Sequence, residues 1–206
     1  AYIECGGREI YRHVAAPGQL ARLVDYFEET GTTYMLQTKQ GVVMTEKSRK
    51  AMVQHFTDMG MTEEEMEKVM VADIFLREDL RDYPDVEKMA YYDAPVSMEK
   101  IQEVLGDYFK VEGASYKSGE GSNGEVTCAG ENKATGIRRY VSYIGGDMKA
   151  TVGIGDGPND GEMLAETAVA IAMGNAADDL KAAADYVTAD VDKDGLLKAF
   201  KWLQVI

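Results

Sequence analysis

The C-terminal part of the chain alternates between short apolar segments and amphipathic segments, and this alternation limits the possible folds more than any other feature. After about residue 130 the pattern predicts a helix at about 134–144, the strand "TVGIG", the helix "DGEMLAETA", the strand "AVAIAM", the helix "ADDLKAAA", the strand "YVTA" and the helix "DGLLKAFKWL". Short apolar strands separated by helices are typical of a parallel sheet covered on both faces. The sequence therefore predicts an α/β fold with a parallel, Rossmann-like core sheet, in which ligands bind at the carboxyl ends of the strands.

The residues before about 130 mix helical and strand-like patterns instead. "QLARLVDYFEETG" places four apolar side chains on one helical face before Gly31, and Thr62 and Glu65 have the spacing of a capping box. "TYMLQT" and "YYDAPV" are typical of extended strands. The segment 97–109 carries five apolar residues at the spacing of one buried helical stripe: Ile101, Val104, Leu105, Tyr108 and Phe109. This mixture indicates α+β structure.

The charge balance and the absence of long apolar runs exclude several classes of function. The formal net charge of −14 repels nucleic acids and anionic membranes, so neither is an expected partner. No apolar run in the sequence approaches the roughly 20 residues that cross a bilayer, and "AYIECGGREI" lacks the features of an export signal. Cys5 and Cys128 form no paired motif, and His13 and His55 form no zinc motif, so packing or surface roles are expected. These features predict a cytoplasmic protein.

The loop "GIGDGPNDGEML" (153–164) follows the first apolar strand of the alternation and is compatible with three kinds of ligand: a dinucleotide, calcium, or magnesium with a phosphate. A dinucleotide fingerprint requires a glycine where Pro158 stands, and two aspartates in the loop would repel the pyrophosphate. A literal GxGxxG at 119–124 precedes a strand-like segment, so a hairpin turn explains it better.

A calcium-binding loop is suggested by "DVDKDG" (190–195), which matches the opening of an EF-hand with Asp190, Asp192 and Asp194. The twelfth position is Lys201, where a bidentate glutamate is required, and the residues after Gly195 already have the pattern of an amphipathic helix. A strand-to-helix turn with Asp192 or Asp194 as the cap is the preferred interpretation.

A magnesium and phosphate site remains for the loop. Asp156, Asn159 and Asp160 supply hard oxygen atoms, and Lys133 lies just before a predicted helix. Magnesium usually takes one or two carboxylates and keeps water and phosphate in its other positions, while an ammonium group neutralises a phosphoryl group. Alternatively, the aspartates only cap a helix and Lys133 is a solvated charge. The two motifs together, in this order, favour the magnesium and phosphate site.

The chain resembles the haloacid dehalogenase-like hydrolases, and within them the Cof-type phosphatases. "NKATGI" is similar to that family's third motif, and "GIGDGPNDGEML" is similar to its fourth, GDxxND followed by Met-Leu. "IAMGNA", "LKAAADYVT" and "DKDGLLKA" also resemble the family's C-terminal sequence. The resemblance implies core-domain strand residues at 1–14, a large α+β cap domain at 15–128 and the C-terminal part of the core domain at 129–206.

The resemblance also implies a magnesium-dependent phosphatase for a small phosphorylated substrate. Asp156 would bind Mg²⁺, and Asp160 would support the metal shell directly or through water. Lys133 would stabilise the nucleophile and the transferring phosphoryl group, and Asn159 would contact the substrate phosphate. The reaction would form a phosphoaspartyl intermediate, and a second aspartate would act as general acid and then as general base.

The family's first motif, DxDGT, supplies the aspartate nucleophile and does not occur in residues 1–206. Either the chain is an N-terminally truncated phosphatase, which the start at Ala1 favours, or it has lost catalysis and kept a binding or interaction role. We therefore expect this chain alone to be inactive. The residues expected in the cap contain no motif that identifies the substrate.

Overall fold

The computed structural model describes residues 1–62, 64–66, 73–113 and 122–206. The chain forms two compact units. The first contains Ala1–Tyr2 and Arg12–Gly130, and the second contains Ile3–Tyr11 and Glu131–Ile206. The sequence interpretation places the divisions between residues 14 and 15 and between residues 128 and 129, two or three residues from these boundaries.

The first unit is built on a mixed sheet with helices packed against it. The first strands of the chain, β1 (Tyr2–Cys5) and β2 (Arg8–Arg12), form a separate two-stranded sheet that belongs almost entirely to the second unit. In chain order the elements of the first unit are α1 (Pro17–Thr30), β3 (Thr33–Thr38), β4 (Gly41–Met44), α2 (Glu46–Asp58), β5 (Ile74–Leu76), β6 (Val86–Ala94), α3 (Met98–Leu105), β7 (Phe109–Gly113) and β8 (Ser122–Cys128). The six strands have the order β5-β4-β3-β6-β8-β7, and β4–β5 is the parallel pair among them. The α+β character predicted for this part is therefore confirmed.

The apolar face predicted for α1 forms the centre of this unit. Four of its residues are almost fully buried: Leu20, Leu23, Val24 and Phe27. The Phe27 ring lies 5.6 Å from both the Tyr34 and the Tyr91 rings, measured between centroids, so the helix packs directly on β3 and β6. The helix ends where predicted, with Gly31 as its C-terminal cap.

The helical stripe predicted for 97–109 is wrong beyond Leu105. Gly106 has a φ of 67°, which ends the helix at a conformation that glycine adopts without strain. Tyr108 is 60% exposed, and Phe109 is buried as the first residue of β7 and not as part of a helix. Pairing of β7 with β8 therefore overrides a helical spacing that the local sequence continues.

Other local predictions in this unit have mixed outcomes. The capping box is confirmed, since the backbone N–H of Thr62 donates to Glu65 Oε2 at 2.8 Å. His55 is buried beside Tyr92, and its Nδ1 lies 2.7 Å from Asp93 Oδ2, so its packing role includes a carboxylate partner. The predicted turn at 119–124 falls partly outside the described residues; its last three residues belong to β8.

The second unit contains the predicted parallel sheet. Its elements are α4 (Lys133–Tyr143), β9 (Val152–Gly155), α5 (Gly161–Glu166), β10 (Val169–Ala172), α6 (Asp178–Ala183), β11 (Tyr186–Val187) and α7 (Gly195–Trp202). The strand order is β11-β10-β9, and both pairs are parallel, with Val169 opposite Val152. All seven predicted elements are present, each within one or two residues of the expected position.

The turn between β11 and α7 is the strand-to-helix turn expected at 190–195, but the predicted capping is wrong. Asp194 occupies the N-cap position with a φ of 58° and makes no capping bond through its side chain. A side-chain cap normally requires an extended backbone at this position. Asp190 instead pairs with Lys193.

Two smaller expectations concern cysteines and membranes. Cys5 is half-buried and Cys128 is buried, and no disulfide joins them. Within the described ranges, every helix is too short or too polar to span a bilayer.

Candidate functional site

The loop after β9 is folded around one buried carboxylate. Pro158–Asp160 forms a 3-10 turn that brings Asp160 back towards the end of the strand. Asp160 Oδ2 accepts hydrogen bonds from the backbone N–H groups of Asp156 and Gly157, both at 3.0 Å. A Cβ atom on Gly155 would lie 2.6 Å from Asp160 Cγ, so only glycine at 155 lets the carboxylate approach so closely. The spacing of Gly155, Asp156 and Asp160 therefore has a structural cause.

Lys133 reaches the other oxygen of the same carboxylate. The ammonium group donates to Asp160 Oδ1, and the Lys133 side chain is 48% exposed whereas that of Asp160 is 6% exposed. Lys133 is the first residue of α4, where Asn132 accepts from the Thr135 N–H at 2.8 Å and the Asn132 N–H donates to Thr135 Oγ1 at 3.0 Å. This reciprocal cap fixes the start of the helix and thereby the position from which Lys133 extends.

The charge of Asp160 is stabilised in this environment. Burial raises the pKa of its carboxyl group. The bonds from Lys133 and from the two backbone N–H groups together lower the pKa by more than burial raises it, so the pKa lies below its usual value. Asp160 is therefore ionised at neutral pH. It links the Lys133 ammonium to the backbone of Asp156 through a single side chain.

Asp156 lies directly after β9, at the carboxyl edge of the parallel sheet, and its side chain is exposed. Asn175 Nδ2 donates to Asp156 Oδ2 at 2.8 Å. In the part of the chain that the structure describes, Asp156 Oδ1 has no hydrogen-bonded partner. Asp156 thus has one carboxylate oxygen bonded to Asn175 and one without a bonded partner among the described residues, on a side chain that is exposed.

Asn159 is exposed on the same turn, and its side-chain amide forms no hydrogen bond to another described residue. Its Oδ1 lies over Gly157, 2.9 Å from the position that a Cβ atom on that glycine would occupy. The structure therefore brings Lys133, Asp156 and Asp160 together and places Asn159 beside them.

Asn175 is a member of the site that the sequence analysis did not single out. It follows β10 in "IAMGNA", a segment used there only for its resemblance. The available signal was topological, because a polar residue just after β10 lies at the same edge of the sheet as the loop after β9.

The donor atoms fit magnesium better than calcium. Among residues 1–62, 64–66, 73–113 and 122–206, no group of three or more His, Cys, Asp or Glu side chains gathers to hold a metal ion. Calcium takes six to eight oxygen ligands, whereas magnesium is often bound by one or two carboxylates and completes its shell with water and phosphate. Asp156 fits this second pattern as a single exposed carboxylate, while both oxygens of Asp160 are already bonded.

A parallel sheet with a carboxylate loop and a lysine at its carboxyl edge is the arrangement in which α/β proteins bind ligands, and solved phosphatase structures share this fold. A sugar phosphatase described as subclass IIB of the haloacid dehalogenase superfamily superimposes with a TM-score of 0.78 at 24% identity, covering 100% of this chain and 74% of that one. Residues 1–200 match the family model of the haloacid dehalogenase-like hydrolases. The chain belongs to this family, which confirms the resemblance and the predicted fold.

Two curated relatives from Bacillus subtilis match parts of the chain. The putative phosphatase YkrA is 40% identical over 82 residues, which are 40% of this chain and 32% of that protein. The 5-amino-6-(5-phospho-D-ribitylamino)uracil phosphatase YcsE is 34% identical over 99 residues, which are 48% of this chain and 40% of that protein. The matched stretches thus cover less than half of either phosphatase.

Proposed function

We propose that the intact protein is a magnesium-dependent phosphatase of the Cof type that hydrolyses a small phosphorylated metabolite. The observation that carries the proposal is the buried Asp160 carboxylate, which joins the Lys133 ammonium to the loop that presents Asp156. This places a cation and an exposed carboxylate at the sheet edge where α/β proteins bind ligands. The similarity to YkrA and YcsE, both named as phosphatases, supports the same activity.

Each site residue has a proposed role that follows from its surroundings. Asp156 would hold Mg²⁺, and the bound ion would neutralise charge on the phosphoryl group. Lys133 neutralises the phosphoryl oxygens and the attacking carboxylate from its half-exposed position. Asp160 supports the metal shell indirectly, because it holds Lys133 and the backbone of Asp156. Asn159 donates its free amide to the substrate phosphate.

The proposed reaction requires an aspartate nucleophile in addition to these residues. Attack of that carboxylate on phosphorus releases the alcohol and forms a phosphoaspartyl group, and water then hydrolyses the acyl phosphate and restores the carboxylate. A second aspartate protonates the leaving alcohol and later deprotonates the water. We assign the first unit, within residues 15–128, as the cap that selects the substrate and the second unit as part of the core.

The decisive experiment is a phosphate-release assay on the product of the complete reading frame, with p-nitrophenyl phosphate and a panel of sugar and nucleotide phosphates, with and without Mg²⁺. The proposal expects Mg²⁺-dependent turnover that is lost in Asp156→Asn and retained in Asp178→Asn, a matched change of an exposed carboxylate in the same unit. Absence of turnover with every substrate, together with a reading frame that has no DxDGT upstream of Ala1, would favour a non-catalytic binding protein instead.

A further inference from the structure

The Asn175 side-chain amide is bonded at both of its ends. Its Nδ2 donates to Asp156 Oδ2 at 2.8 Å, and its Oδ1 accepts from the Val191 backbone N–H at 3.0 Å. We infer that Asn175 is a positioning residue, which orients the Asp156 carboxylate for a cation by anchoring it to the turn at 190–195. The inference rests on the proposed function for its consequence in catalysis.

The backbone immediately before Asn175 is fixed between neighbouring segments of the chain. The Met173 N–H donates to the Gly155 carbonyl at 2.9 Å, and the Gly174 N–H donates to the Ala189 carbonyl at 3.0 Å. A Cβ atom on Gly174 would lie 2.6 Å from the backbone nitrogen of Asp190, so glycine is required for this approach. Asn175, three residues after the end of β10, therefore lies at a defined position between Asp156 and the turn at 190–195.

The turn that supplies the Val191 N–H is itself well anchored. Thr188 is buried, and its hydroxyl donates to the Gly195 carbonyl at 2.7 Å, while the Gly195 N–H donates to the Asp190 carbonyl at 3.2 Å. Lys193 pairs with Asp190 across the same turn. The "DVDKDG" segment thus presents a backbone donor at a fixed point.

An amide suits this position chemically. It donates to the carboxylate and accepts from the backbone at the same time, which neither a carboxylate nor an ammonium group does. A lysine or arginine here would also hold Asp156, but its positive charge would oppose a bound cation. A neutral donor fixes one oxygen and leaves the full negative charge of Asp156 available to Mg²⁺. Partners that orient metal ligands in this way commonly change metal affinity tenfold or more when removed.

Two substitutions break the chain of bonds at different points. Asn175→Ala removes both bonds. Val191→Pro removes only the N–H, and proline suits this site because Val191 is the first residue of a 3-10 turn and Asp190 has φ −60° and ψ 161°. Val191→Ala is the matched control, since it trims the same exposed side chain and keeps the N–H.

The χ1 distribution of Asp156 in the 206-residue chain is measured by NMR from three-bond couplings to Cγ, and Mn²⁺ is titrated while broadening of the Gly157 amide signal is followed. We expect one χ1 rotamer in wild type and Val191→Ala, and averaging in Asn175→Ala and Val191→Pro. Mn²⁺ binding should weaken about tenfold in Asn175→Ala and less in Val191→Pro. Dispersed amide spectra establish that each variant is folded.

An unchanged χ1 distribution in both variants overturns the inference, and so does an unchanged Mn²⁺ affinity despite a loosened rotamer. If wild type does not bind Mn²⁺ at Asp156, the cation site of the proposed function fails, and the inferred consequence for cation binding fails with it. The couplings alone then show whether Asn175 orients Asp156.

Discussion

Replacement of Asp160 by Ala should destabilise the second unit strongly. The substitution removes a carboxylate that accepts two backbone hydrogen bonds at 3.0 Å and one bond from Lys133. Bonds to a charged acceptor contribute about 1.5–3 kcal/mol each, and the lower value for the two backbone bonds gives about 3 kcal/mol. The pair with half-exposed Lys133 adds about 0–1 kcal/mol. The expected loss is therefore about 3–4 kcal/mol.

Trp202 provides a probe that is confined to the second unit. It is the single tryptophan in the sequence, and its ring stacks on that of Tyr186 with centroids 4.5 Å apart. Urea unfolding followed by its fluorescence should give a midpoint about 2–4 M lower in Asp160→Ala, given a slope of roughly 1–1.5 kcal/mol per molar urea. Asp160→Asn should lose only about 1–2 kcal/mol, because its amide oxygen can still accept from the loop.

Asp156→Asn is the internal comparison for this experiment. Its side chain is exposed and its amide oxygen can still accept from Asn175, so the free energy of unfolding should stay within about 0.5 kcal/mol of wild type. Equal midpoints for Asp160→Ala and Asp156→Asn would refute the reasoning, since the buried carboxylate would then not organise the loop.

Four further outcomes are expected. If the complete protein is the proposed phosphatase, Lys133→Ala should lower its turnover about a hundredfold or more, as for loss of one preorganised donor, with Mg²⁺ affinity retained. Asp156→Asn should lose both turnover and Mg²⁺ affinity, and calorimetry with Mg²⁺ separates the two variants. The 206-residue chain alone should not hydrolyse p-nitrophenyl phosphate, and Mg²⁺-dependent hydrolysis by rigorously purified chain would contradict this. Calcium calorimetry should reveal no micromolar site that depends on Asp192, which Asp192→Ala checks. Because the folded-state pKa of Asp160 is lowered, its ion contributes stability above its unfolded pKa of about 3.9 and loses that contribution as the pH falls through the lower folded value. Below about pH 4 the urea midpoint of wild type should therefore fall more steeply than that of Asp160→Asn.

The helices and strands that were predicted correctly are marked by patterns within a few neighbouring residues. The apolar face of α1 and its terminal Gly31 lie within one helix, and the strands of the second unit are marked by continuous apolar runs. The helix predicted through Phe109 failed because pairing of β7 with β8 depends on residues farther along the chain.

The sequence predicted several residues of the candidate site but not the hydrogen bonds that join them. The motifs identified Lys133 and Asp160, and the structure adds that one carboxylate joins the lysine to the loop. Asn175 was missed although its place just after β10 was a topological signal, and its bond to a backbone N–H sixteen residues away has no signature in the sequence. The proposed catalytic roles of these residues stay predictions.

The close approach of Asp160 to Gly155 shows that some residues of the motif are required by the shape of the loop and others are not. The glycine and the second aspartate are demanded by the shape of the loop, so natural selection for a folded protein alone would preserve them. Asp156 contributes no such constraint, because its side chain is exposed and an amide oxygen at this position could accept the same bond from Asn175. A related sequence with a different residue at position 156 beside an unchanged Gly155 and Asp160 should therefore keep the fold of the loop. Such a sequence would be a candidate for a relative that has lost the proposed activity.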